Sequence, residues 1–385
     1  MPLLAEAASP AEQAAGRLGA DKLAAMAAAF ARDGVVILAN VIPHAVLDAA
    51  AARLDYDAAL LVLQGAAAAK RDEESSVVED GQTGGARGDP RAVDDTFGGK
   101  GGQHIEVGLP RDAEHSFPEI LTNPLIEQCV QAFLGPANVR YWCGNTACPG
   151  SGVQPLHQDA GGWSVNDPAA AAAAGVAWPH PNYKLSVNFG VDAMTPANGS
   201  TEVWPTSHLC EPSATGITDD IREAQRAIAP PVQLRVPKGG VAFRELRVWH
   251  RGQPNASALP RHMVCLGWCA TADPDPNVTV GGAHNHDVPP APQLFSSEAQ
   301  AQLTRVPPPS GIDRVFAFVP EPVDHWGHRE SEGLPLGGMR DQFWDPAKRF
   351  EPVEVEEGLA VEPWVTAALD GRRTLRGGGA AAAAL

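Results

Sequence analysis

The sequence predicts a mainly β protein with flanking helices, built as a sandwich or a jelly roll. Between residues 139 and 268, many short β-rich segments are separated by turn signals such as Pro149-Gly150 and Pro196–Gly199. The chain of 385 residues contains 39 glycines and 35 prolines, which is too many for an all-helical bundle. Hydrophobic residues make up 44% of the chain and can form a sizeable core, so a disordered chain is excluded.

Residues 20–135 form the predicted helical N-terminal part. An apolar repeat at helical spacing starts near residue 20 and stops at Gly34, which is a helix breaker. The β-rich tetrad Val35–Leu38 follows, and Pro43 opens a second helical repeat that continues to residue 64. We therefore expect two helices around a short strand.

Residues 70–103 differ in composition from the segments around them, since a charged run is followed by many glycines. Such a stretch buries little apolar surface, so we expect a long mobile loop, which serves either as a linker or as a lid over an active site. A further helix is expected from Ile120 to Phe133, just before the β-rich region.

Residues 136–272 form the predicted jelly-roll core. Its expected strands are Val139–Trp142, Leu185–Val191, Ser200–Trp204, Val232–Val236, Gly240–Phe243, Leu246–Trp249 and His262–Trp268. The pattern weakens after residue 272 into a Pro-rich C-terminal extension, residues 273–385. We interpret residues 1–385 as one domain.

Composition narrows the possible partners and the compartment. The chain has 29 basic and 46 acidic residues and a formal net charge of -17, so nucleic acid and anionic membranes are not expected partners. Its six cysteines include no CxxC pair, and neither a signal peptide nor a membrane span is recognisable. These features predict a soluble intracellular protein, in the cytoplasm, that acts on a small molecule. They do not indicate an oligomeric state.

Histidines and carboxylates are the candidate chemical groups. The sequence contains no Walker loop, no Gly-x-Ser-x-Gly elbow and no His-Glu-x-x-His helix. A His-x-acid pair on a strand projects both side chains from the same face, which suits metal binding. Three such pairs occur: His104/Glu106, His157/Asp159 and His328/Glu330. Because 12 histidines and 46 acidic residues would produce such pairs by chance, the spacing alone decides nothing.

The surrounding sequence favours His157/Asp159, which opens the strand-rich region. The expected strand that ends at His250 can supply a third ligand. Two imidazoles and one carboxylate suit non-haem Fe(II) and leave coordination positions open for co-substrates. Zinc bound by the same three ligands would hold a water and favour hydrolysis instead.

Arg261 is the candidate group for recognising a co-substrate. It begins the strand that follows His250, and by alternation it shares a face with the uncharged Met263 and Cys265. A buried arginine is costly unless it is paired, and a small dicarboxylate can pair with it bidentately. A solvated arginine at the end of a surface strand is the alternative.

Four ordered blocks together resemble a known enzyme family. They are Phe30–Leu38, Leu156–Asp159, Met194–His208 and Trp249–Asn255, the last followed by Arg261. In this order and at these separations they are similar to the phytanoyl-CoA dioxygenase family of Fe(II)- and 2-oxoglutarate-dependent oxygenases. The resemblance extends over residues 28–272.

The resemblance implies a double-stranded β-helix, a cupin-like jelly roll, with helices around it. It implies that His157, Asp159 and His250 hold Fe(II), and that Arg261 binds the distal carboxylate of 2-oxoglutarate. The implied reaction uses O2 to hydroxylate a small organic or natural-product-like substrate and releases succinate and CO2. Because Asp159 is present, halogenation is not expected.

Two positions depart from the family pattern around the co-substrate. Gly252 stands where some relatives have a serine that contacts the same carboxylate, and Asn188 stands where some have a tryptophan that lines the pocket. The groups expected to line the substrate pocket are Gln103, His104 and Trp163.

Two other functions remain open from the sequence. One is a cupin-like hydrolase or isomerase that uses the same three ligands with zinc or manganese. The other is a catalytically silent barrel that only binds a ligand. A requirement for both O2 and 2-oxoglutarate would distinguish the oxygenase from either.

Overall fold

The fold is described from a computed structural model. It describes residues 2–76, 104–105, 107–109, 113–159, 182–210, 217–270, 301–303 and 361–370. The strands, helices and contacts named below lie within these residues.

Ten strands form two sheets. The strands are β1 (Ala5–Ala7), β2 (Val35–Ala39), β3 (His104–Ile105), β4 (Ala137–Ala147), β5 (Lys184–Gly190), β6 (Glu202–Val203), β7 (Val232–Gln233), β8 (Val241–Glu245), β9 (His250–Arg251) and β10 (Arg261–Ala270). The major sheet has the order β1-β2-β8-β5-β10-β4-β3, and the minor sheet has the order β7-β6-β9. All neighbours pair antiparallel except β1 and β2, which are parallel.

The helices are α1 (Pro10–Ala15), α2 (Ala20–Asp33), α3 (His44–Ser76), α4 (Pro118–Leu121), α5 (Pro124–Leu134), α6 (Asp219–Ile228) and α7 (Pro363–Leu369). Among them, α2, α3 and α5 pack on one face of the major sheet. Phe133 of α5 stacks on Phe30 of α2 at 4.5 Å between ring centroids and meets Phe243 of β8 edge-on at 5.3 Å. Phe30 and Phe243 are fully buried, and full burial of a phenylalanine contributes on the order of 1.5–3 kcal/mol. In the part of the chain described, no helix is long and apolar enough to cross a membrane.

The other face of the major sheet looks towards the minor sheet. Successive residues of a strand point to opposite faces, so Phe243 packs under the helices while Ala242 and Arg244 face inward. An apolar cluster that includes Ala242, Met263 and Val203 joins the two sheets. The inner face of β8 and β10 also carries two buried arginines, Arg244 and Arg261, each 3% exposed. Polar groups are therefore held between the sheets.

The predicted class, mainly β with flanking helices, is confirmed, and so are the two helices around a short strand. Gly34 ends α2 with a φ of 73°, a left-handed conformation that glycine adopts without strain, and β2 follows directly. Three predicted strands, Val139–Trp142, Leu185–Val191 and His262–Trp268, match β4, β5 and β10. Although α7 lies in the predicted C-terminal extension, its buried Trp364 and Val365 belong to the core between helices and sheet.

The expected helix from Ile120 to Phe133 is wrong at its start, because two helices occupy this stretch. Ile120 belongs to α4, and α5 begins at Pro124. A proline has no backbone N–H to continue the preceding helix, and the Asn123 side chain accepts hydrogen bonds from Leu125 and Ile126 as the cap of the new one.

The expected strand Leu246–Trp249 is also wrong, because the chain makes a turn there. The Glu245 carboxylate accepts hydrogen bonds from the backbone N–H of Arg247 at 2.6 Å and from its Nε at 2.7 Å. The Val248 N–H donates to the Glu245 carbonyl at 3.1 Å, which closes the turn. As a result β8 ends at Glu245, and His250 stands at the start of β9 in the opposite sheet.

The expected loop 70–103 begins too early. Helix α3 continues to Ser76, since the Ala-rich and charged residues at its end are good helix formers. Residues 77–103 lie outside the described residues, so whether they form a lid stays a prediction.

Candidate metal centre

Two histidines that are far apart in sequence meet through the backbone. His157 and His250 form an antiparallel β-bridge in which the His157 N–H donates to the His250 carbonyl at 3.0 Å and the His250 N–H donates back at 2.8 Å. Their imidazole rings are 4.3 Å apart between centroids. The bridge continues the edge of the minor sheet beyond β9, so backbone pairing fixes the relative position of the two rings.

Asp159 completes a cluster of three. Its backbone N–H donates to the Leu246 carbonyl at 3.0 Å, which ties it to the turn before His250. Its Oδ1 lies 3.4 Å from His250 Nε2 and 3.7 Å from His157 Nε2. One donor atom from each residue lies within 4.8 Å of the others, and no other trio of histidine, cysteine or acidic residues in the described chain does so. The structure thus brings together the three side chains expected from the sequence.

Hydrogen bonds fix which imidazole nitrogen faces the cluster. His157 Nδ1 lies 2.8 Å from the Pro155 carbonyl, and His250 Nδ1 lies 3.0 Å from the Val248 carbonyl. A carbonyl only accepts, so in both rings Nδ1 carries the proton and donates it. The Nε2 lone pairs then point to the shared space beside Asp159, which is the arrangement of metal-binding histidines.

The electrostatics also suit a cation. Burial and the neighbouring Arg244 charge together lower the pKa of His250 to about 4, although Asp159 opposes them, so this imidazole is neutral at neutral pH. Burial alone would raise the pKa of the Asp159 carboxyl, but His250 and Arg244 hold it well below its ordinary value. A neutral imidazole and an ionised carboxylate are the protonation states that metal binding requires.

Arg244 is the residue of this site that the sequence analysis missed. It donates from Nη2 to Asp159 Oδ2, and its Nη1 lies 3.3 Å from His250 Nδ1. A signal was present in the sequence, because Arg244 interrupts the apolar run of β8 on the same face as Ala242. An arginine on an otherwise apolar inward face requires an anionic partner nearby.

Arg261 is buried, so the alternative of a solvated strand end is wrong. Its Nη2 donates to the Gly199 carbonyl at 3.1 Å and its Nη1 to the Asn145 carbonyl at 3.5 Å. Its buried Nε has no hydrogen-bond partner among the described residues, and no described carboxylate forms an ion pair with it. Burial lowers its pKa to about 10. This is a guanidinium with unused donor capacity, which fits a bound anion.

Asn188 lies on the inward face of β5, opposite Cys265 of β10, and is 1% exposed. Its Oδ1 accepts a hydrogen bond from Ser186 Oγ, and its Nδ2 lies 3.6 Å from Met263 Sδ. Asn188 therefore stands on the same inward face as Arg261. Its contact with a co-substrate stays a prediction.

Gly252 has no room for the serine of some relatives. A Cβ built there would lie 2.6 Å from Gln154 Oε1 and 2.7 Å from His104 Cε1. The Gly252 N–H already donates to Gln154 Oε1 at 2.7 Å. The Gln154 and His104 side chains thus fill the place where that serine would stand. Glycine at residue 252 leaves the space that these two side chains occupy.

We expect Gly252→Ser to destabilise the fold by about 1–3 kcal/mol, the usual cost of overpacking, with the loss partly recovered when Gln154→Ala is added. Gly19→Ser is the matched control, because a Cβ there meets only Glu12 Oε1 at 3.6 Å. Urea unfolding of the four proteins measures the change. Equal stability of Gly252→Ser and Gly19→Ser would contradict this account of residue 252.

Of the three residues expected to line the substrate pocket, only His104 lies among the described residues. His104 is 5% exposed and its Nε2 lies 2.8 Å from the Gly152 carbonyl; burial lowers its pKa, with the Arg261 charge contributing. It is a neutral, largely buried imidazole between Gly252 and Arg261. Gln103 and Trp163 lie outside the described residues, as do Glu106 and the pair His328/Glu330.

Comparison with known families identifies the chain. The family described as Phytanoyl-CoA dioxygenase (PhyH) matches residues 30–263, more than half of the protein. The chain belongs to the phytanoyl-CoA dioxygenase family. The matched range contains the His157, Asp159 and His250 cluster and also Arg261, and the sequence-based resemblance is confirmed. Membership makes the protein a jelly-roll enzyme of the non-haem iron and 2-oxoglutarate type in general terms.

Solved structures that are similar to this phytanoyl-CoA dioxygenase family member include EvdMO1, AviO1 and SnoN. EvdMO1 is 22% identical, with 65% of this chain and 50% of that chain covered and a TM-score of 0.40. AviO1 from Streptomyces viridochromogenes Tue57 is 22% identical, with 65% and 95% covered and a TM-score of 0.41. The non-heme alpha ketoglutarate dependent epimerase SnoN from nogalamycin biosynthesis is 16% identical, with 66% and 82% covered and a TM-score of 0.40. The match thus spans about half the length of EvdMO1.

Proposed function

We propose that this protein is an Fe(II)- and 2-oxoglutarate-dependent dioxygenase that hydroxylates a small organic or natural-product-like molecule, with release of succinate and CO2. The observation that supports it most is the donor set: two imidazole Nε2 atoms and one carboxylate oxygen within 4.8 Å, in a member of the phytanoyl-CoA dioxygenase family. Two neutral imidazoles and one carboxylate are the ligands typical of non-haem Fe(II) oxygenases.

His157, Asp159 and His250 would hold the iron. Both imidazoles present Nε2 in a fixed tautomer, and Asp159 contributes a negative charge that offsets part of the charge of a divalent cation. Bound Fe(II) with 2-oxoglutarate would supply the oxidising chemistry that uses O2. With three protein ligands, coordination positions remain for the co-substrates.

Arg261 would bind the distal carboxylate of 2-oxoglutarate. Its guanidinium is buried and has an unpartnered Nε among the described residues, so a carboxylate arriving there gains charge-assisted hydrogen bonds that no described protein group already makes. A dicarboxylate can bind the metal at one end and pair its distal carboxylate with Arg261 at the other. Apolar neighbours on the inner face, such as Met263, keep water out and strengthen this pairing.

A zinc- or manganese-dependent hydrolase remains the second function open to these ligands, but nothing in such an enzyme requires a buried arginine that lacks a carboxylate partner. A silent binding barrel requires neither that arginine nor the donor set. Both alternatives have less support from the structure than the oxygenase.

The test is formation of succinate from 2-oxoglutarate by the purified protein. We expect succinate only when Fe(II), O2 and 2-oxoglutarate are all present, with release stimulated by the true substrate in a screen of small organic molecules. Omission of each component in turn, and replacement of Fe(II) by Zn(II), are the controls. Hydrolysis or isomerisation supported by Zn(II) in the absence of O2 would contradict the proposal.

A further inference from the structure

Arg244 lies at the centre of the site but cannot bind a metal, since a guanidinium only donates. It is 3% exposed on the inward face of β8, in register with Val35 of β2 and Ser186 of β5. Backbone pairing on both sides of its strand thus fixes where its side chain starts. Its contacts with Asp159 and with His250 indicate what it does there.

The first contact divides the two oxygens of Asp159. Arg244 Nη2 donates to Oδ2, whereas Oδ1 is the oxygen that lies 3.4 Å from His250 Nε2 and 3.7 Å from His157 Nε2. A charge-assisted hydrogen bond to one carboxylate oxygen holds the carboxylate plane in place. The other oxygen is therefore presented to the space between the imidazoles.

The second contact is with His250. Arg244 Nη1 lies 3.3 Å from Nδ1, the nitrogen that also lies 3.0 Å from the Val248 carbonyl. The guanidinium therefore packs against the side of the ring that faces away from the cluster. Because His250 Nδ1 already donates its proton to that carbonyl, the approach of Nη1 joins two donors and is not a hydrogen bond. Of these two contacts, only the one with Asp159 is a charge-assisted hydrogen bond.

We propose that Arg244 is a positioning residue that makes Asp159 a one-oxygen ligand. This inference rests on the proposed function. Because Arg244 takes up Oδ2, Asp159 would offer a bound metal only Oδ1 and would leave the other coordination positions to the co-substrates. Without Arg244, the carboxylate is free to rotate or to bind through both oxygens, so the three-donor site loses its preformed shape.

The test is anaerobic titration of the purified protein with Co(II), followed by its visible absorption, so that no turnover is needed. We expect Arg244→Met to bind Co(II) about 10- to 100-fold more weakly than the wild type, the usual effect of losing an outer partner of a metal ligand. Arg244→Gln keeps one donor for Asp159, so its loss should be smaller.

Arg53→Met is the matched control. Arg53 is also a buried arginine paired with a carboxylate, Asp57, at 2.7 Å, but it lies on α3, which packs on the opposite face of the major sheet. We expect it to lower the thermal unfolding midpoint and leave Co(II) affinity at the wild-type value. An equal loss of affinity in Arg53→Met would mean that any buried arginine has this effect, and would overturn the proposal.

Wild-type affinity in Arg244→Met would also overturn it. Should Arg244→Met fail to fold, wild-type affinity in Arg244→Gln decides against it in the same way. Failure of the proposed function gives a different result: the wild type then binds Co(II) no better than Asp159→Ala does. A third result would contradict the role of Arg244 without contradicting the proposed function. In that case Asp159→Ala binds Co(II) more weakly than the wild type, whereas the Arg244 variants bind it as tightly as the wild type.

Discussion

We expect Asp159→Ala to abolish turnover and to lower Fe(II) affinity by more than about 100-fold, beyond the loss that removal of an outer partner causes. Two effects combine. The substitution removes the one anionic donor of the cluster, whose Oδ1 lies within 3.7 Å of both imidazole Nε2 atoms. It also leaves the buried Arg244 without the Asp159 carboxylate it donates to, so a positive charge then faces the cation site.

Fe(II) binding under anaerobic conditions and succinate formation in air measure these losses. Asp48→Ala is the control, because Asp48 is an exposed carboxylate paired with Lys238 at 2.6 Å on the surface. It should leave both quantities at the wild-type value. Wild-type turnover in Asp159→Ala would refute the assignment of the ligands.

We expect Arg261→Leu to raise the 2-oxoglutarate concentration needed for half-maximal turnover by roughly 10- to 150-fold, which corresponds to the loss of a charge-assisted pairing of about 1.5–3 kcal/mol. Metal affinity stays close to the wild-type value, because Arg261 is not part of the donor cluster. The separation of these two effects distinguishes co-substrate binding from metal binding.

Thermal unfolding with increasing 2-oxoglutarate gives a readout that does not need a substrate. A ligand that binds only the folded state raises the unfolding midpoint with its concentration. We expect the rise in the wild type with Fe(II) under anaerobic conditions, a smaller rise in Arg261→Lys, which keeps the charge without the planar fork, and none in Arg261→Leu. An equal rise in wild type and Arg261→Leu would show that the co-substrate binds elsewhere.

The sequence predicted the elements with a strong local signal. Gly34 marked the end of α2, and the β-rich runs marked β5 and β10, because apolar alternation and turn residues act over a few positions. The family resemblance placed His157, Asp159 and His250 together, since a motif match carries long-range information that periodicity does not contain.

The features that were missed depend on side-chain hydrogen bonds across the fold. The turn Leu246–Trp249 reads as a strand by composition, but the Glu245 carboxylate and the Arg247 side chain bind each other and close it. Arg244 stands out in the sequence only as a charge in the apolar run of β8. Its partner Asp159 cannot be predicted from that run, because the fold brings it there from a segment far away in sequence. Local propensity cannot report either contact.

The most direct test of the central claim is anaerobic titration of the protein with Fe(II) and 2-oxoglutarate while visible absorption is recorded. We expect a weak metal-to-ligand charge-transfer band that needs both components, saturates at one iron per chain, and is absent in Asp159→Ala. Absence of the band in the wild type, or an equal band in Asp159→Ala, would contradict the claim that His157, Asp159 and His250 hold an iron that binds 2-oxoglutarate.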